Sequence, residues 1–159
     1  MEVNQKLKGK VAVVTGGGSG IGRSISLLFA KEGAEVIIVE VNKENGRQTI
    51  DEIVASGGMA RLKVTDVTAQ IDIQNAFSGE HKIDILVNNA GIAHVGNLEK
   101  TSEEDFERIY SVNVRGVYNC LYAIVPKMKE KKYGVILNLA SIASTVGIPD
   151  RFAYSMSKG

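Results

Sequence analysis

The stretch KVAVVTGGGSGIGRSISLLFAKEG, residues 10–33, contains the pattern that defines the fold. Its apolar, β-branched start at 10–16 is typical of a buried strand, and this strand ends in a cluster of glycines. Residues 20–33 then have helical spacing, with Gly33 as the C-terminal stop. The apolar residues on one face of that helix, which we expect to pack on the core, are Ile21, Ile25, Leu28 and Phe29.

The same alternation of strand and helix continues to the end of the chain. We expect further strands at 34–40, 59–67, 82–91 and 133–141, and helices at 42–58, 68–79, 101–131 and from 152 onward. Pro126 is expected to kink or end the last turns of the long helix. Because the strands are apolar throughout, the pattern predicts an α/β fold with a doubly wound, Rossmann-type parallel sheet in one domain. Such sheets bind ligands beyond the carboxyl ends of their strands.

Length and composition exclude several functional classes. The 159 residues are enough for one core, and a net charge of +1 gives no reason to expect binding to nucleic acid or to an acidic membrane. No apolar run approaches the ~20 residues of a membrane span, and the N-terminus lacks the apolar core of a signal peptide. Cys120 is the only cysteine, so we expect a small buried apolar residue and a reducing compartment. The expected location is the cytoplasm.

The glycine-rich turn TGGGSGIG, residues 15–22, connects the first strand to the first helix. Glycine permits a tight turn and close approach of the backbone to a pyrophosphate, and the helix start offers free N–H groups. A flexible loop without a ligand is the alternative, but the position between strand and helix favours a nucleotide. The predicted cofactor contacts in this turn are Gly16, Gly18, Ser19, Gly20, Ile21 and Gly22.

Two acidic residues stand at the ends of later strands. Glu40 ends the second strand, where a carboxylate accepts hydrogen bonds from ribose hydroxyls and repels a 2′-phosphate, so NAD is favoured over NADP. An ordinary exposed acid is the alternative. Asp66 ends the third strand, where it either reaches the adenine amino group or forms a turn. Val67, the next residue, is predicted to lie at the same site.

The remaining candidates for chemistry are Ser141, Tyr154 and Lys158. The two histidines, His81 and His94, lack partners at metal-ligand spacing, and no G-x-S-x-G nucleophile elbow is present. Tyr154 and Lys158 are one helical turn apart, and an ammonium near a phenol favours the phenolate, which can act as a base on an alcohol. On spacing alone the pair is equally compatible with two surface residues.

In this order, the motifs TGGGSGIG, NNAG (88–91), SVNV (111–114), Ser141 and YSMSK (154–158) resemble those of the short-chain dehydrogenase/reductase family over essentially the whole chain. The resemblance implies that Tyr154 is the catalytic acid/base. It further implies the roles of its neighbours: Lys158 activates Tyr154 and binds the nicotinamide ribose, Ser141 orients the substrate oxygen, and Asn113 holds a water of a proton relay. The residues implied to line the cofactor are Asn88, Ala90, Gly91, Tyr154 and Lys158.

The function implied is an NAD-dependent oxidoreductase that interconverts a secondary alcohol and a ketone. The substrate classes are sugars, polyols, sugar acids and 3-oxoacyl thioesters. His94 and Arg151 are candidates for the border of the substrate pocket, although Arg151 could instead pair with Asp150 or with a partner subunit. The resemblance also implies a homo-oligomer, a dimer or tetramer, that assembles through the helix at 112–130 and the helix from Tyr154.

One departure from the family concerns the end of the sequence. Family members continue past the catalytic Lys, so we expect the domain to be incomplete, with its C-terminal strands missing. The fifth strand would then be an apolar open edge, and Tyr154 and Lys158 would lie on a frayed helix. The isolated chain is accordingly expected to be inactive, and a catalytically inactive, truncated dinucleotide-binding fragment is one alternative function. A sugar-nucleotide epimerase or dehydratase is another, although its G-x-x-G-x-x-G spacing does not fit.

Overall fold

The computed structural model describes residues 5–159. Within this range five strands alternate with six α-helices: β1 Val11–Thr15, α1 Gly20–Lys31, β2 Glu35–Glu40, α2 Lys43–Ala55, β3 Met59–Val64, α3 Gln70–Phe77, β4 Ile85–Asn88, α4 Glu103–Tyr110, α5 Gly116–Glu130, β5 Val135–Asn138 and α6 Phe152–Lys158. Short 3₁₀ turns occupy Leu98–Lys100 and Ile142–Ser144, and a π-helical turn, Ser111–Arg115, joins α4 to α5.

The five strands form one parallel sheet in the order β3-β2-β1-β4-β5. β1 is central, with Val13 opposite Ile37 of β2 on one side and Leu86 of β4 on the other. The chain first adds strands outward from β1 to β3 and then returns to the other side of β1. This reversal creates the switch point at which doubly wound sheets bind ligands. The predicted fold class is confirmed.

Helices cover both faces of the sheet, and each face has its own core. Because side chains alternate along a strand, Ile37 of β2 packs on one face with Phe77 and Ile124. Its neighbour Ile38 packs on the other face with Ile53. All five side chains are fully buried, and each stabilises the fold by about 1.5–3 kcal/mol relative to leaving it in water.

The buried face of α1 differs from the predicted one. Ile21 and Leu28 are 66% and 53% exposed, and small residues face the sheet instead: Gly22, Ser26 and Ala30. Small side chains let the helix lie close to the strands, and the Ser26 hydroxyl is satisfied by donating to the Gly22 carbonyl at 2.9 Å. The prediction was wrong for Ile21 and Leu28, whereas Ile25 and Phe29 pack partly buried against the core.

Pro126 does not end the long helix, since α5 continues to Glu130. The proline removes the hydrogen bond to the carbonyl of Tyr122, one turn earlier. Tyr122 is 53% exposed, so water can satisfy that carbonyl, and the helix tolerates the proline. Among residues 5–159, none of the helices combines the length and the apolar character needed to cross a lipid bilayer.

The last two elements differ in how well they are packed. β5 lies at an edge of the sheet, and its apolar side chains Val135, Ile136 and Leu137 are 49%, 42% and 47% exposed. The open apolar edge therefore agrees with expectation. The frayed helix does not, because α6 packs against α4, with the rings of Phe106 and Phe152 stacked at 6.5 Å.

Candidate active site

A cavity of about 520 Å³ lies beyond the carboxyl ends of the strands, within the size range of ligand pockets. Its wall combines the glycine turn, the ends of β2 and β3, the exit turn of β4, and α6. Most of the residues predicted at the cofactor are in this wall: Gly16, Ser19, Gly20, Ile21, Glu40, Asp66, Val67, Ala90, Gly91, Tyr154 and Lys158. The structure thus brings together residues more than a hundred positions apart.

The glycine turn forms a close cradle at one end of the cavity. Gly16 and Gly20 have left-handed backbones, with φ of +64° and +51°, which favour glycine. A Cβ on Gly22 would come within 2.1 Å of the Gly16 carbonyl oxygen, so no side chain fits there. Within the described chain, the N-cap Ser19 makes no side-chain cap bond, which leaves the first N–H groups of α1 available to a phosphate.

Glu40 is held at the side of the cavity by two backbone donors. Gly18 N–H donates to Oε2 and Asn42 N–H donates to Oε1, both at 3.1 Å, and Glu40 is 9% exposed. Gly18 itself is not in the cavity wall; it acts on the site through Glu40. The carboxylate retains lone pairs that can accept from ribose hydroxyls.

The loop after β3 supplies the next part of the wall. Asp66 accepts a hydrogen bond from Thr68 N–H at 2.8 Å, so it forms the turn that was one of its two interpretations, and it also lines the cavity. Thr65, in the same wall, has a buried hydroxyl with no partner among residues 5–159. A polar ligand would satisfy it. Asn119 of α5 fixes this loop by donating to the carbonyls of Val67 and Thr68 at 2.8 and 3.2 Å.

The exit turn of β4 is tied to the glycine turn by Thr15 and Asn89. Thr15 Oγ1 accepts from the N–H groups of Asn89 and Ala90, each at 3.0 Å. Asn89 Nδ2 donates to the carbonyls of Thr15 and Gly16 at 2.9 and 3.2 Å. Sequence reasoning missed both residues. It named Asn88 instead, which lies outside the cavity wall and donates to Asn138 Oδ1 at 2.8 Å, joining β4 to β5.

Tyr154 and Lys158 enter the cavity wall one turn apart on α6. The Lys158 ammonium donates to the carbonyl of Leu139 at 3.0 Å, which fixes its position beside the end of β5. Ser141 is not in the wall, although Leu139 is. It caps the 3₁₀ turn by accepting from Ala143 N–H at 3.2 Å.

Asn113, in the π-helical turn, lies behind the wall and is 4% exposed. Its Oδ1 accepts from Ile92 N–H at 2.8 Å, and its Nδ2 donates to the Ile92 carbonyl at 2.9 Å and to Ser157 Oγ at 2.8 Å. Both amide hydrogens are therefore used within the protein. No sequence pattern indicates Ser157 as a partner of Asn113.

His94 and Arg151 are joined to each other and stand outside the cavity wall. Arg151 Nη1 donates to the His94 carbonyl at 3.3 Å, and Gly96 forms a β-bridge with Arg151. No carboxylate among residues 5–159 forms an ion pair with Arg151, so the pairing with Asp150 does not occur. In the same range, no three His, Cys, Asp or Glu side chains are grouped to hold a metal ion.

The family is decided by comparison of the whole sequence with known proteins. The sequence model described as short chain dehydrogenase matches residues 10–159, from the start of β1 to the end of α6. The chain belongs to the short-chain dehydrogenase family. Two relatives from Thermotoga maritima are an uncharacterized oxidoreductase, 42% identical over 95% of this chain, and a 3-oxoacyl-(acyl-carrier-protein) reductase, 37% identical over 96%.

Solved structures of short-chain dehydrogenases have the same fold. An NAD⁺-bound xylitol dehydrogenase has a TM-score of 0.91 and 34% identity, covering 97% of this chain and 61% of its own. A metagenomic short-chain oxidoreductase in complex with NADP has a TM-score of 0.90 and 34% identity, covering 96% and 71%. Both forms of the cofactor thus occur among the neighbours. The chain spans 61% and 64% of the length of the two Thermotoga maritima relatives.

Proposed function

We propose that this short-chain dehydrogenase is an NAD-dependent oxidoreductase that interconverts a secondary alcohol and a ketone. One observation carries the proposal: a single cavity contains the phosphate-type glycine cradle, the Glu40 carboxylate and the Tyr154–Lys158 pair. The first two fit a dinucleotide, and the third fits proton transfer to or from an alcohol. Membership of the family adds to the proposal.

The residues that line the cavity fit the successive parts of an NAD molecule. The glycine turn, from Gly16 to Gly22, would hold the pyrophosphate, Glu40 the adenosine ribose, and Thr65 and Asp66 the adenine side. Lys158 would hold the nicotinamide ribose. When bound, NAD would accept or supply the hydride of the redox step. A 2′-phosphate beside the nearly buried Glu40 carboxylate would be repelled, which is why we propose NAD over NADP.

Tyr154 would exchange a proton with the substrate oxygen. Lys158, one helical turn away on α6, lines the same cavity. The carbonyl of Leu139 keeps the Lys158 ammonium directed at the cavity. The hydroxyl of Ser141 already accepts a backbone hydrogen bond, so its own hydrogen remains free to be donated to the substrate oxygen.

The alternatives are less well supported. The relatives reported above include a 3-oxoacyl reductase and a further oxidoreductase, and the cavity retains both Tyr154 and Lys158, so an inactive fragment is not favoured. For the substrate we propose a sugar, a polyol, a sugar acid or a 3-oxoacyl compound, since the similar proteins reported above include a xylitol dehydrogenase and a 3-oxoacyl-(acyl-carrier-protein) reductase.

The test is a comparison of Tyr154→Phe with wild type. Reduction of NAD⁺ and NADP⁺ is followed with xylitol, a sugar acid and a 3-hydroxyacyl thioester. Tyr133→Phe, a change at a 46% exposed tyrosine between α5 and β5, is the matched control. We expect Tyr154→Phe to lower kcat by about 10²–10⁴-fold, a far larger change than that in the Kd for NAD⁺ measured by calorimetry. Full turnover by Tyr154→Phe would refute the catalytic assignment.

A further inference from the structure

We infer that Ser157 is a positioning residue for Tyr154 and Lys158; the inference rests on the proposed function. Ser157 Oγ takes part in two hydrogen bonds that link different elements. It donates to the carbonyl of Tyr154 at 2.8 Å and accepts from Asn113 Nδ2 at 2.8 Å. The hydroxyl therefore connects the backbone that carries Tyr154 to the π-helical turn.

The connection continues from Asn113 to the cavity wall. Asn113 binds both backbone groups of Ile92, and Ile92 lines the cavity. Ile92, Asn113, Ser157 and Tyr154 thus form one chain of hydrogen bonds from the exit loop of β4 to α6. The position that a Cβ of Gly91 would occupy is 3.3 Å from both Asn113 Oδ1 and Lys158 Nζ, so these two atoms lie no more than about 6.6 Å apart on either side of Gly91.

The geometry of Asn113 makes the Ser157 hydroxyl necessary. The Asn113 amide has two hydrogens; one is used by the Ile92 carbonyl and the other by Ser157 Oγ. Without that hydroxyl, a donor on a 4% exposed side chain would lose its partner. Flipping the Asn113 amide would not restore the lost hydrogen bond. It would place the Nδ2 donor against the Ile92 N–H donor and the Oδ1 acceptor against the Ile92 carbonyl acceptor.

If Ser157 had only a local role in its own helix, its removal would have a different effect. Serine hydroxyls within helices often bond to a carbonyl one turn earlier, and this alone affects only helix stability. If Ser157 did no more than this, its removal would lower the free energy of unfolding but leave kcat per folded molecule unchanged. The bond from Asn113 is what extends its effect to the reacting groups.

The experiment compares Ser157→Ala, Ser157→Thr and Ser155→Ala in the same protein. Ser155 is on the same helix, and its side chain forms no hydrogen bond within residues 5–159, so it is the matched control. With NAD⁺ and the best alcohol of the panel above, at a temperature well below unfolding, we expect Ser157→Ala to lower kcat by about 10-fold, with KM for NAD⁺ changed less than about 2-fold. Ser157→Thr keeps the hydroxyl and should restore kcat, and Ser155→Ala should resemble wild type.

A second readout needs no turnover and separates this inference from the proposed function. Hydrogen exchange of the Ile92 amide, which Asn113 Oδ1 protects, should be faster in Ser157→Ala and unchanged in Ser155→Ala. If wild type reduced neither cofactor but Ile92 responded as expected, the proposed function would fail and the linkage would stand. If Ile92 exchange and kcat were both unchanged in Ser157→Ala, the positioning role would be excluded.

Discussion

The carboxylate of Glu40 lies directly against the backbone of Gly18. The Gly18 N–H donates to Glu40 Oε2 at 3.1 Å, and a Cβ on Gly18 would come within 2.9 Å of the same oxygen. The end of β2 and the glycine turn therefore fix one another through this contact.

Replacing Glu40 by Gln should weaken the discrimination against NADP. The amide keeps the size of the side chain and an acceptor for Gly18, but it removes the negative charge that a 2′-phosphate would face. We expect the ratio of the Kd values for NADP⁺ and NAD⁺, measured by calorimetry, to fall by about 10-fold, or about 1.4 kcal/mol. Glu44→Gln, at an exposed acid in the first turn of α2, should leave the ratio unchanged. An unaltered ratio in Glu40→Gln would count against Glu40 as the selective group.

A side chain at Gly22 should disrupt the turn. Its Cβ would come within 2.1 Å of the Gly16 carbonyl oxygen and 2.4 Å of Asn89 Nδ2, so the glycine turn must move. We expect Gly22→Ala to lower NAD⁺ affinity by at least about 10-fold, measured by calorimetry, and to reduce stability by more than about 1 kcal/mol. Gly79→Ala is the matched control, because a Cβ there meets nothing within 4 Å. Equal NAD⁺ binding by the two variants would contradict the steric argument.

Glu80 should make stability depend on pH in the acid range. Hydrogen bonds from the Arg61 guanidinium, with further help from Lys63, lower the pKa of Glu80 from 4.5 to about 2 despite its burial. A lowered folded-state pKa means that the unfolded chain binds the proton first, so the stabilisation is present above pH 4.5 and is lost as pH falls toward 2.

The corresponding experiment is urea unfolding of wild type and Glu80→Gln at several pH values. Arg61 is 44% exposed, so solvent screens its ion pair with Glu80. We therefore expect the free energy of unfolding of wild type to exceed that of Glu80→Gln by only about 1–2 kcal/mol at pH 7. This difference should shrink toward pH 2. Glu107→Gln, at an exposed acid of α4, should show neither effect. A difference that is independent of pH would exclude the ion pair as its cause.

Cys120 should be unreactive in the folded protein. It is 1% exposed, and burial raises the pKa of its thiol to about 12, so almost no thiolate forms at pH 8. We expect a thiol reagent such as iodoacetamide to modify the folded protein at less than about 1% of the rate in guanidinium chloride. Rapid modification of the folded protein would show that α5 opens readily.

The sequence was sufficient for the architecture because periodicity and glycine position report on burial and turns. It failed on α1, where the largest apolar residues, Ile21 and Leu28, are exposed, and Ser26 and Ala30 face the sheet. Hydrophobic patterning cannot show how closely a helix approaches a sheet. That distance depends on the small side chains and on the strands beneath them.

At the site, the sequence is enough to predict those residues that stand at a strand end or in a recognisable motif, such as Glu40 and Tyr154. It missed Thr15, Asn89 and Ser157, whose partners lie 74, 73 and 44 positions away. Serine, threonine and asparagine are common in turns and helices, so the residue type alone does not indicate a role at the site. Only the three-dimensional structure shows which backbone groups they join.

The central position of β1 has a consequence for the order in which the protein folds. β1 must pair with β4, and the bond from Val11 N–H to Asp84 closes a loop of 73 positions. Closing such a loop costs more conformational entropy than forming the intervening helices or the β1–β2 pair, so this pairing should be completed late in refolding. The hydrogen bonds between Thr15 and Asn89 also join the end of β1 to the exit turn of β4. They should therefore form at the same late stage. After dilution from denaturant, the recovery of NAD⁺ binding should therefore lag behind the recovery of helical circular dichroism.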